Sequence, residues 1–447
     1  MPKTRDMYKD AGIDLEQNEI ANRWAKLIIP ETHNETVIDD LDGLFSTGIR
    51  IDRDKGDKGD KGEKVGQLWV SADTPAEMVE GMHTGISKLL SRGDHPVAIT
   101  DYIAYGQLIG DVAGKLLIDV VAGSRKPDGT HVPVIGGEFA EMPGVIKKRG
   151  LEFTVVINYQ SHENRRNSLS IRNHKGDILV YSKDSVGTKT ELGQRLGIQN
   201  GLFFDMIGHS VGDVVVQGTT PLGIGMYVGS APDFSWPEME KVFQHSARES
   251  LLTNMGFHHH SKKGYCKERF DIIGNITGIV DEDKLLTGHD IKEGDYLIGI
   301  KSFGVNTNGY SLVRKLVSQG LLKVDEMMPG TNMTVGQALM EPHQNYWAAM
   351  NDSRKIFGAD LKGAAHITGS GIEKNTNRLF PDGLKAEIHS LPENSRFRYI
   401  QEIGRVNEET MGKTFNRGIG VMLAVDKGYD VNNLPDRYHL AGKVVSN

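Results

Sequence analysis

The sequence predicts a mixed α/β fold, of α+β type overall, in which two tandem β-α-β-α-β half-domains precede a C-terminal α+β domain. Three observations support this prediction. The chain has 447 residues, more than the ~250–300 residues that one hydrophobic core usually reaches. Apolar runs typical of strands alternate with segments of helical periodicity. The same order of elements then occurs twice, which indicates an internal duplication.

The first half-domain contains the predicted helices 76–92 and 107–122, whose apolar residues recur at helical spacing. Strands are predicted from the apolar runs QLWVSAD (67–73), HPVAITDY (95–102), VPVIGGEFAEMPG (132–144) and LEFTVVINY (151–159). Within the third of these runs, residues 136–144 are expected to form a glycine-rich loop. Residues 51–66, IDRDKGDKGDKGEKVG, are expected to form a solvated loop.

The second half-domain repeats this order. The predicted elements are a strand within 177–183, the helix 203–218, the strand 221–229, the helix 239–256 and the strand 270–281. The third region begins with a strand at 294–302 and a helix at 309–320. Mixed strands and helices with frequent turns predict an α+β arrangement there.

Composition excludes several functional classes. The net charge is −7 without a broad basic stripe, so no nucleic-acid partner is expected. No apolar run reaches the ~18 residues of a membrane span, and the N-terminus has no apolar signal core. The single cysteine, Cys266, rules out a disulfide within the chain. We therefore expect a cytoplasmic protein without a membrane partner.

The segment DSVGTK (184–189) follows a predicted strand directly. Gly187 allows backbone N–H groups to approach an anion, and Lys189 supplies a positive charge. The residues therefore suit a phosphate or metal site, although a polar loop is the commoner outcome for such a segment. It is not a Walker loop, because the spaced glycines of that motif are missing.

Asp205 and Asp213 lie on one predicted helix, where both can face the same side. Asp213 is surrounded by valines, and burying a carboxylate there is costly unless a cation or a donor meets it. Magnesium held through nucleotide phosphates would also relieve repulsion from Asp184. An exposed helix with two solvated acids accounts for the spacing equally well.

Further glycine-rich polar segments occur elsewhere in the chain. GGEFAEMPG (136–144) suits close approach to a phosphate or nucleobase, or a simple bend of the chain. GVNTNGYS (304–311) runs into a helix whose N-terminus favours anions, and HITGSG (366–371) could contact a phosphorylated substrate. The triplet HHH (258–260) matches no structural zinc spacing, and we expect a surface loop there.

Together these strings resemble the phosphoribosylformylglycinamidine cyclo-ligase (aminoimidazole ribonucleotide synthetase) family. YKDAGID (8–14), DSVGTK, GDVVVQGTTPL (212–222) and GGEFAEMPG are similar to the family's N-terminal motifs. NTNGYSLVRKLV, HITGSGIEKNTNRLFP and TFNRGIGVM are similar to its C-terminal blocks. Asn306, Ser370 and Gly212 depart from the family pattern, where His, Gly and Asn are usual.

The order of the motifs also departs from the family, because GGEFAEMPG precedes DSVGTK here. We interpret each half-domain as a worn copy that keeps what the other has lost. The resemblance then implies an intrachain pseudo-dimer barrel, and a chain that is a monomer or a homodimer. The predicted domains are an N-terminal nucleotide-covering segment (1–39), the first repeat (40–160), the second repeat (165–285) and the C-terminal synthetase-like domain (290–447).

The resemblance implies ATP-dependent cyclisation of formylglycinamidine ribonucleotide, a small-molecule substrate, to aminoimidazole ribonucleotide in purine biosynthesis, with Mg²⁺ and ATP. The alternatives are another amide-activating enzyme of the superfamily and a non-catalytic nucleotide-binding paralogue. The implied metal ligands are Asp184 and Asp213, and the implied catalytic residues are Asp184, Asp205 and His366. The implied nucleotide-binding residues are Lys9, Asp10, Gly136, Gly137, Glu138, Ser185, Gly187, Thr188 and Lys189. The implied substrate-binding residues are Asn308, Gly309, Gly369 and Gly371.

Overall fold

The computed structural model describes residues 15–34, 36–37, 46–50, 64–107, 110–161, 168–170 and 178–447. The chain divides into two compact units. Unit 1 comprises residues 1–42, 46–191 and 221–283, and unit 2 comprises residues 43–45, 192–220 and 284–447. Within the described residues, no helix is both long and apolar enough to cross a membrane.

The first sheet of unit 1 has five strands in the order β4-β3-β5-β2-β6. β3 and β4 run parallel, and β3 and β2 each pair antiparallel with β5. The strands are β2 (Lys64–Ser71), β3 (His95–Tyr105), β4 (Val134–Glu141), β5 (Leu151–Ser161) and β6 (Ser168–Ser170). The accompanying helices are α1 (Leu15–Ile28), α2 (Pro75–Ser91) and α3 (Gly110–Gly123).

Helix α2 begins at a capping box, because the Thr74 hydroxyl accepts from the Glu77 N–H while the Glu77 carboxylate accepts from the Thr74 N–H. Its apolar side chains, including Met78 and Leu89, share a core cluster with residues of α3 and the first sheet such as Phe153. The predicted helices 76–92 and 107–122 therefore agree with α2 and α3 to within a few residues at each end.

The second sheet of unit 1 has the order β1-β7-β10-β8-β9. Its strands are β1 (Thr47–Arg50), β7 (Ile178–Ser185), β8 (Thr220–Ser230), β9 (Thr253–Ser261) and β10 (Phe270–Val280). Between them the chain forms α4 (Lys189–Arg195), α5 (Leu202–Val215) and α6 (Met239–Glu249). The two sheets share one strand order. Read in the same direction, four neighbouring strands are β4-β3-β5-β2 in the first sheet and β9-β8-β10-β7 in the second. Numbered along the chain within each half-domain, both orders are third, second, fourth, first.

The two sheets share a local irregularity as well. The register of β3 with β4 shifts between Ile99 and Asp101, and the register of β8 with β9 shifts between Ile224 and Met226. A glycine with φ of +127° lies at each shift, Gly136 in β4 and Gly256 in β9. A side chain is strongly disfavoured at that angle, so both bulges depend on glycine.

Side chains of the two sheets contact one another inside unit 1. Trp69 of the first sheet stacks on Tyr227 of the second, with ring centroids 5.9 Å apart. The Gln67 amide donates to the Asn275 carbonyl at 2.9 Å, and the Thr100 hydroxyl donates to the Asn275 side chain at 2.6 Å. Apolar residues from both sheets form two buried clusters, one of which contains Trp69 and Tyr227.

Unit 2 contains a third sheet with the order β12-β14-β11-β15-β13, whose neighbouring strands are all antiparallel. Its strands are β11 (Tyr296–Lys301), β12 (Leu361–His366), β13 (Leu384–Ile388), β14 (Ile419–Val425) and β15 (Tyr438–Ser446). Its further helices are α7 (Tyr310–Ser318), α8 (Val335–Leu339), α9 (Trp347–Phe357), α10 (Gly371–Asn377), α11 (Ser395–Gly404) and α12 (Glu408–Thr414). Helix α5 also belongs to unit 2.

Two sequence predictions about loops were wrong. Residues 136–141 continue strand β4 instead of forming a glycine-rich loop, since Asp101 to Tyr105 of β3 pair with Gly137 to Glu141. Residues 258–260 lie in β9, paired with β8, and do not form a loop. Parallel pairing with a neighbouring strand decides both cases, and local sequence carries no signal of such a partner.

Candidate functional site

The candidate site in unit 1 begins where β7 ends. Asp184 and Ser185 are the last residues of β7, Gly187 follows with φ of +70°, and Lys189 opens helix α4. A Cβ at Gly187 would have only the Met142 sulfur, 3.8 Å away, within van der Waals range. The glycine is therefore required by its left-handed backbone rather than by crowding.

Glu138 of β4 lies beside Asp184. Burial, the charge of Asp184, a hydrogen bond with Asp184 and the charge of Asp271 together raise the pKa of Glu138 well above its usual value. One Glu138 oxygen, Oε2, is buried without a hydrogen-bond partner among the described residues. Three carboxylates with one unsatisfied buried oxygen suit a hard divalent cation such as Mg²⁺, which prefers oxygen ligands.

Asp271, at the start of β10, connects the two sheets at this site. Its Oδ2 accepts from the Tyr102 hydroxyl at 2.7 Å, and its Oδ1 accepts from the N–H groups of Ile272 at 2.8 Å and Gly187 at 3.2 Å. Burial raises the pKa of Asp271 to about 7, although these hydrogen bonds oppose the rise. Asp271 therefore holds the turn after Asp184 in place.

The glycines of β4 let the backbone lie close to its neighbours. A Cβ at Gly137 would be 2.1 Å from the Asp101 carbonyl oxygen, so no side chain fits there. Gly137 is exposed, while Ser185, Thr188 and Lys189 are buried, with Lys189 fully so. The predicted nucleotide-binding residues of 136–138 and 184–189 are thus brought together in unit 1. Lys9 and Asp10 lie outside the described residues.

A second position in unit 1 corresponds to the contact between Tyr102 and Asp271. There the Tyr227 hydroxyl donates to Glu152 at 3.4 Å and contacts Ser71 at 3.0 Å, as the Tyr102 hydroxyl contacts Asp271. The Lys262 ammonium lies 2.7 Å from Glu152 and also donates to the carbonyls of Ala72 and Phe153. Both charged side chains are at most 1% exposed. We call this the Lys262 position.

In unit 2, the acids of helix α5 have different surroundings. Asp205 Oδ1 accepts from the His343 backbone N–H at 2.7 Å, which is a positioning contact. Asp213 Oδ1 lies 2.7 Å from His366 Nδ1, and Asp213 Oδ2 lies 4.0 Å from His209 Nε2. Asp184 belongs to unit 1 and Asp213 to unit 2, so a metal ion shared by these two aspartates stays a prediction.

The two substrate loops predicted in the third region lie side by side in unit 2. A Cβ at Gly369 would be 3.3 Å from the Asn308 side-chain oxygen. The Asn375 amide donates to the carbonyls of Gly369 and Gly371 at 2.8 and 2.7 Å. Gly309 and Gly371 both have positive φ, and a Cβ at Gly371 would overlap the Gly412 carbonyl oxygen. These two loops are therefore closely packed against each other.

Sequence reasoning missed four residues of these sites. Asp271 and Tyr102 stand in apolar strands, where a buried polar residue is a signal that needs a partner. His209 lies four residues after Asp205 and four before Asp213, so helical spacing alone indicates that it shares their face. His343 carries no comparable signal in the sequence.

Comparison with known proteins gives consistent matches. The family described as "AIR synthase related protein, C-terminal domain" matches residues 292–445. The phosphoribosylformylglycinamidine cyclo-ligase of Bacillus cytotoxicus is 35% identical over 56% of this chain and 73% of its own length. The chloroplastic/mitochondrial enzyme of Vigna unguiculata is 34% identical over 60% of this chain and 71% of its own length.

Solved structures align more weakly. The E. coli hydrogenase maturation protein HypE is 15% identical, with a TM-score of 0.45 over 61% of this chain and 81% of that chain, which is too low to support an inference about this protein. The two cyclo-ligases are much more similar to this chain in sequence, and the match covers more than two thirds of the length of each. The chain belongs to the phosphoribosylformylglycinamidine cyclo-ligase family.

Proposed function

We propose that this chain catalyses the ATP-dependent cyclisation of formylglycinamidine ribonucleotide to aminoimidazole ribonucleotide. Family membership supports the reaction, and the group formed by Glu138, Asp184 and Asp271 is the observation that supports a nucleotide site in unit 1. The raised pKa of Glu138 beside Asp184 is typical of carboxylates gathered for a cation.

The reaction needs ATP because an amide oxygen is a poor leaving group and phosphate is a good one. The formyl oxygen takes the γ-phosphoryl group of ATP, leaving ADP. The amidine nitrogen then attacks the activated carbon, and phosphate leaves as the five-membered ring closes. Catalysis in such a reaction consists mainly of positioning and charge neutralisation.

The carboxylates of Asp184 and Glu138 would hold Mg²⁺, with Asp271 orienting the Gly187 turn. When bound, Mg²⁺ neutralises charge on the nucleotide phosphates. Gly137 is exposed and precedes Glu138 in strand β4. Because it has no side chain, a nucleotide could approach the backbone closely there. The loops around Asn308, Gly309, Gly369 and Gly371 in unit 2 would bind the ribonucleotide.

Turnover with wild type, Asp184→Asn and Glu138→Gln tests the proposal. Purified protein is mixed with formylglycinamidine ribonucleotide, ATP and Mg²⁺, and aminoimidazole ribonucleotide is followed by mass spectrometry. We expect product with wild type and a fall in kcat of at least ~100-fold in both variants, as when a charge-stabilising group is lost. Asp436→Asn, which alters an exposed acid of unit 2, is the matched control and should match wild type.

A folded wild-type chain that binds ATP without forming product would contradict the proposal. That result would favour a nucleotide-binding paralogue without catalytic activity. The departures from the family pattern at Asn306, Ser370 and Gly212 are the observation behind this alternative. Equal turnover by wild type and Asp184→Asn would instead contradict the assignment of the unit 1 carboxylates.

A further inference from the structure

Unit 2 contains a buried cluster of nitrogen and oxygen donors, His209, Asp213 and His366. One ligand atom from each residue lies within 4.8 Å of the others. The side chains are 5%, 7% and 0% exposed, respectively. Two residues come from helix α5 and the third from the end of β12, so regular elements fix all three.

Each histidine of the cluster has a hydrogen-bond partner for its second ring nitrogen. His209 Nδ1 lies 3.0 Å from the Thr307 hydroxyl, and His366 Nε2 lies 3.1 Å from His343 Nε2. His343 Nδ1 lies 3.1 Å from the same Thr307 hydroxyl. If Thr307 accepts from both imidazoles and His343 accepts from His366, then His209 Nε2 and His366 Nδ1 carry lone pairs that face Asp213.

That arrangement is the usual surrounding of histidines that bind a metal ion. A ligating imidazole almost always donates its other N–H to a neighbouring acceptor, which fixes the tautomer and the ring orientation. Both imidazoles of this cluster have a partner for the other ring nitrogen on another loop, Thr307 for His209 and His343 for His366, and they meet the condition in the tautomers described above. From these contacts we infer that His209, Asp213 and His366 bind a divalent transition-metal ion of the zinc class.

The donor set decides which metal fits. Imidazole suits zinc and its neighbours, whereas Mg²⁺ is bound by oxygen ligands and water. With bonds of ~2.0–2.1 Å in a tetrahedral site, neighbouring ligand atoms lie about 3.4 Å apart. His366 Nδ1 lies 2.7 Å from Asp213 Oδ1, and His209 Nε2 lies 4.0 Å from the other oxygen, Oδ2. The three ligand atoms lie within 4.8 Å of one another. Binding therefore requires the most distant pair to approach by at most about 1.4 Å.

Gly212 provides the room for this arrangement. A Cβ at that position would be 2.4 Å from His366 Cε1, so any side chain would displace the imidazole from Asp213. The competing interpretation is a metal-free hydrogen-bonded cluster, in which His366 and the nearby positive charge of Arg378 help to balance the charge of Asp213. The two interpretations differ in metal content, which can be measured without turnover.

The test is titration of the full-length apoprotein with Zn²⁺, and with Co²⁺ for its visible d–d bands. We expect one equivalent bound with tetrahedral Co²⁺ absorption, retained in millimolar Mg²⁺. Thr307→Val should lower affinity ~10–100-fold, the range for loss of an outer-shell partner, and His209→Gln should lower it further. Circular dichroism confirms that each variant is folded.

The matched control removes the other histidine group of the chain. His258→Gln/His259→Gln/His260→Gln changes the tract in β9 of unit 1 and should leave the affinity unchanged. Absence of stoichiometric metal in wild type, displacement of Zn²⁺ by Mg²⁺, or loss of the metal only in the triple variant would each overturn the inference. An unaltered affinity in folded His209→Gln would overturn it equally. None of these results depends on the cyclisation reaction.

Discussion

At the scale of single residues, Asp271 is the carboxylate on which the hydrogen bonds of the unit 1 site converge. It accepts from the Tyr102 hydroxyl and from the backbone N–H groups of Ile272 and Gly187. Burial nevertheless raises the pKa of Asp271 to about 7. In the folded chain this residue therefore keeps its proton at pH values where the unfolded chain has lost it.

This shift predicts that Asp271 makes the fold less stable as the pH rises. An aspartate with a raised folded-state pKa contributes stability that is present below about pH 4 and is lost as the pH rises to about 7. Asp271→Asn should remove that slope, with an upper limit of about 4 kcal/mol from the size of the shift. Urea midpoints of both proteins, measured from pH 4 to 8 in EDTA, check the prediction.

Asp436→Asn serves as the control, and its urea midpoint should change with pH in the same way as that of wild type. Removing the charge of Asp271 also lessens the rise in the pKa of Glu138, which changes the slope in the same direction. Parallel curves for wild type and Asp271→Asn would contradict the assigned pKa.

Local sequence predicted the residues of DSVGTK because strand, glycine and following helix lie next to one another in the chain. Asp271 is 84 residues from Gly187, whose N–H it accepts. No periodicity or spacing connects residues at that separation, because the connection depends on how two strands pair. The same reason explains why His343 of the unit 2 cluster was not found.

At the scale of secondary-structure elements, helix α5 is closely surrounded in unit 2. A Cβ at Gly208 would lie 2.4 Å from the His343 carbonyl oxygen, which is backbone and cannot turn away. The helix was predicted at 203–218 and is observed at Leu202–Val215. Its periodicity identified it, but only the packed structure explains why glycines occupy its interior.

This close packing predicts opposite effects for two glycine substitutions in helices of unit 2. Alanine favours a helix over glycine by ~1 kcal/mol when nothing obstructs the methyl group. Gly412→Ala in α12 meets no atom within 4 Å and should raise the melting temperature. Gly208→Ala should lower the melting temperature, because overpacking costs about 1–3 kcal/mol. Differential scanning calorimetry distinguishes the two signs.

A higher melting temperature of Gly208→Ala would contradict this prediction, because it would show that the backbone around His343 moves easily to make room for the methyl group.

Strand β4 illustrates the limit of prediction from sequence at the scale of elements. Its two glycines suggested a loop, yet pairing with β3 and the bulge at Gly136 keep the segment in the sheet. Glycine at a bulge and glycine in a loop look the same in a single sequence.

At the scale of the whole molecule, the two sheets of unit 1 repeat one strand order but differ in chemistry. Glu138, Asp184 and Asp271 lie together as a group of three carboxylates, while Lys262 and Glu152 form a buried ion pair at the Lys262 position. The Lys262 ammonium there donates to Glu152 and to two carbonyls. At the Lys262 position the charge of the Glu152 carboxylate is therefore balanced by a lysine of the protein itself.

This difference predicts one nucleotide per chain. Isothermal titration calorimetry with a non-hydrolysable ATP analogue and Mg²⁺ should give a stoichiometry of one, and Asp184→Asn should abolish the binding. Lys443→Met, which changes an exposed lysine of unit 2, is the control. Two equivalents of analogue, or one equivalent that survives in Asp184→Asn, would contradict the prediction.

The repeated order of strands was visible in the sequence as a repeated order of elements, because strand and helix periodicities are local. The assignment of α5 to unit 2 was not visible, since it depends on contacts with residues such as His343 that lie more than a hundred positions away. We still interpret the two half-domains as a duplication, on their shared strand order and bulges.

Because both sheets belong to one polypeptide, a mutation alters only one of them. In a symmetric homodimer every replacement is made in both protomers, and each residue must suit both copies of the interface. Here Asn275 of β10 can accept from Thr100 and donate to Asn158 without any reciprocal requirement. The two sheets are thus free to change independently of each other under selection.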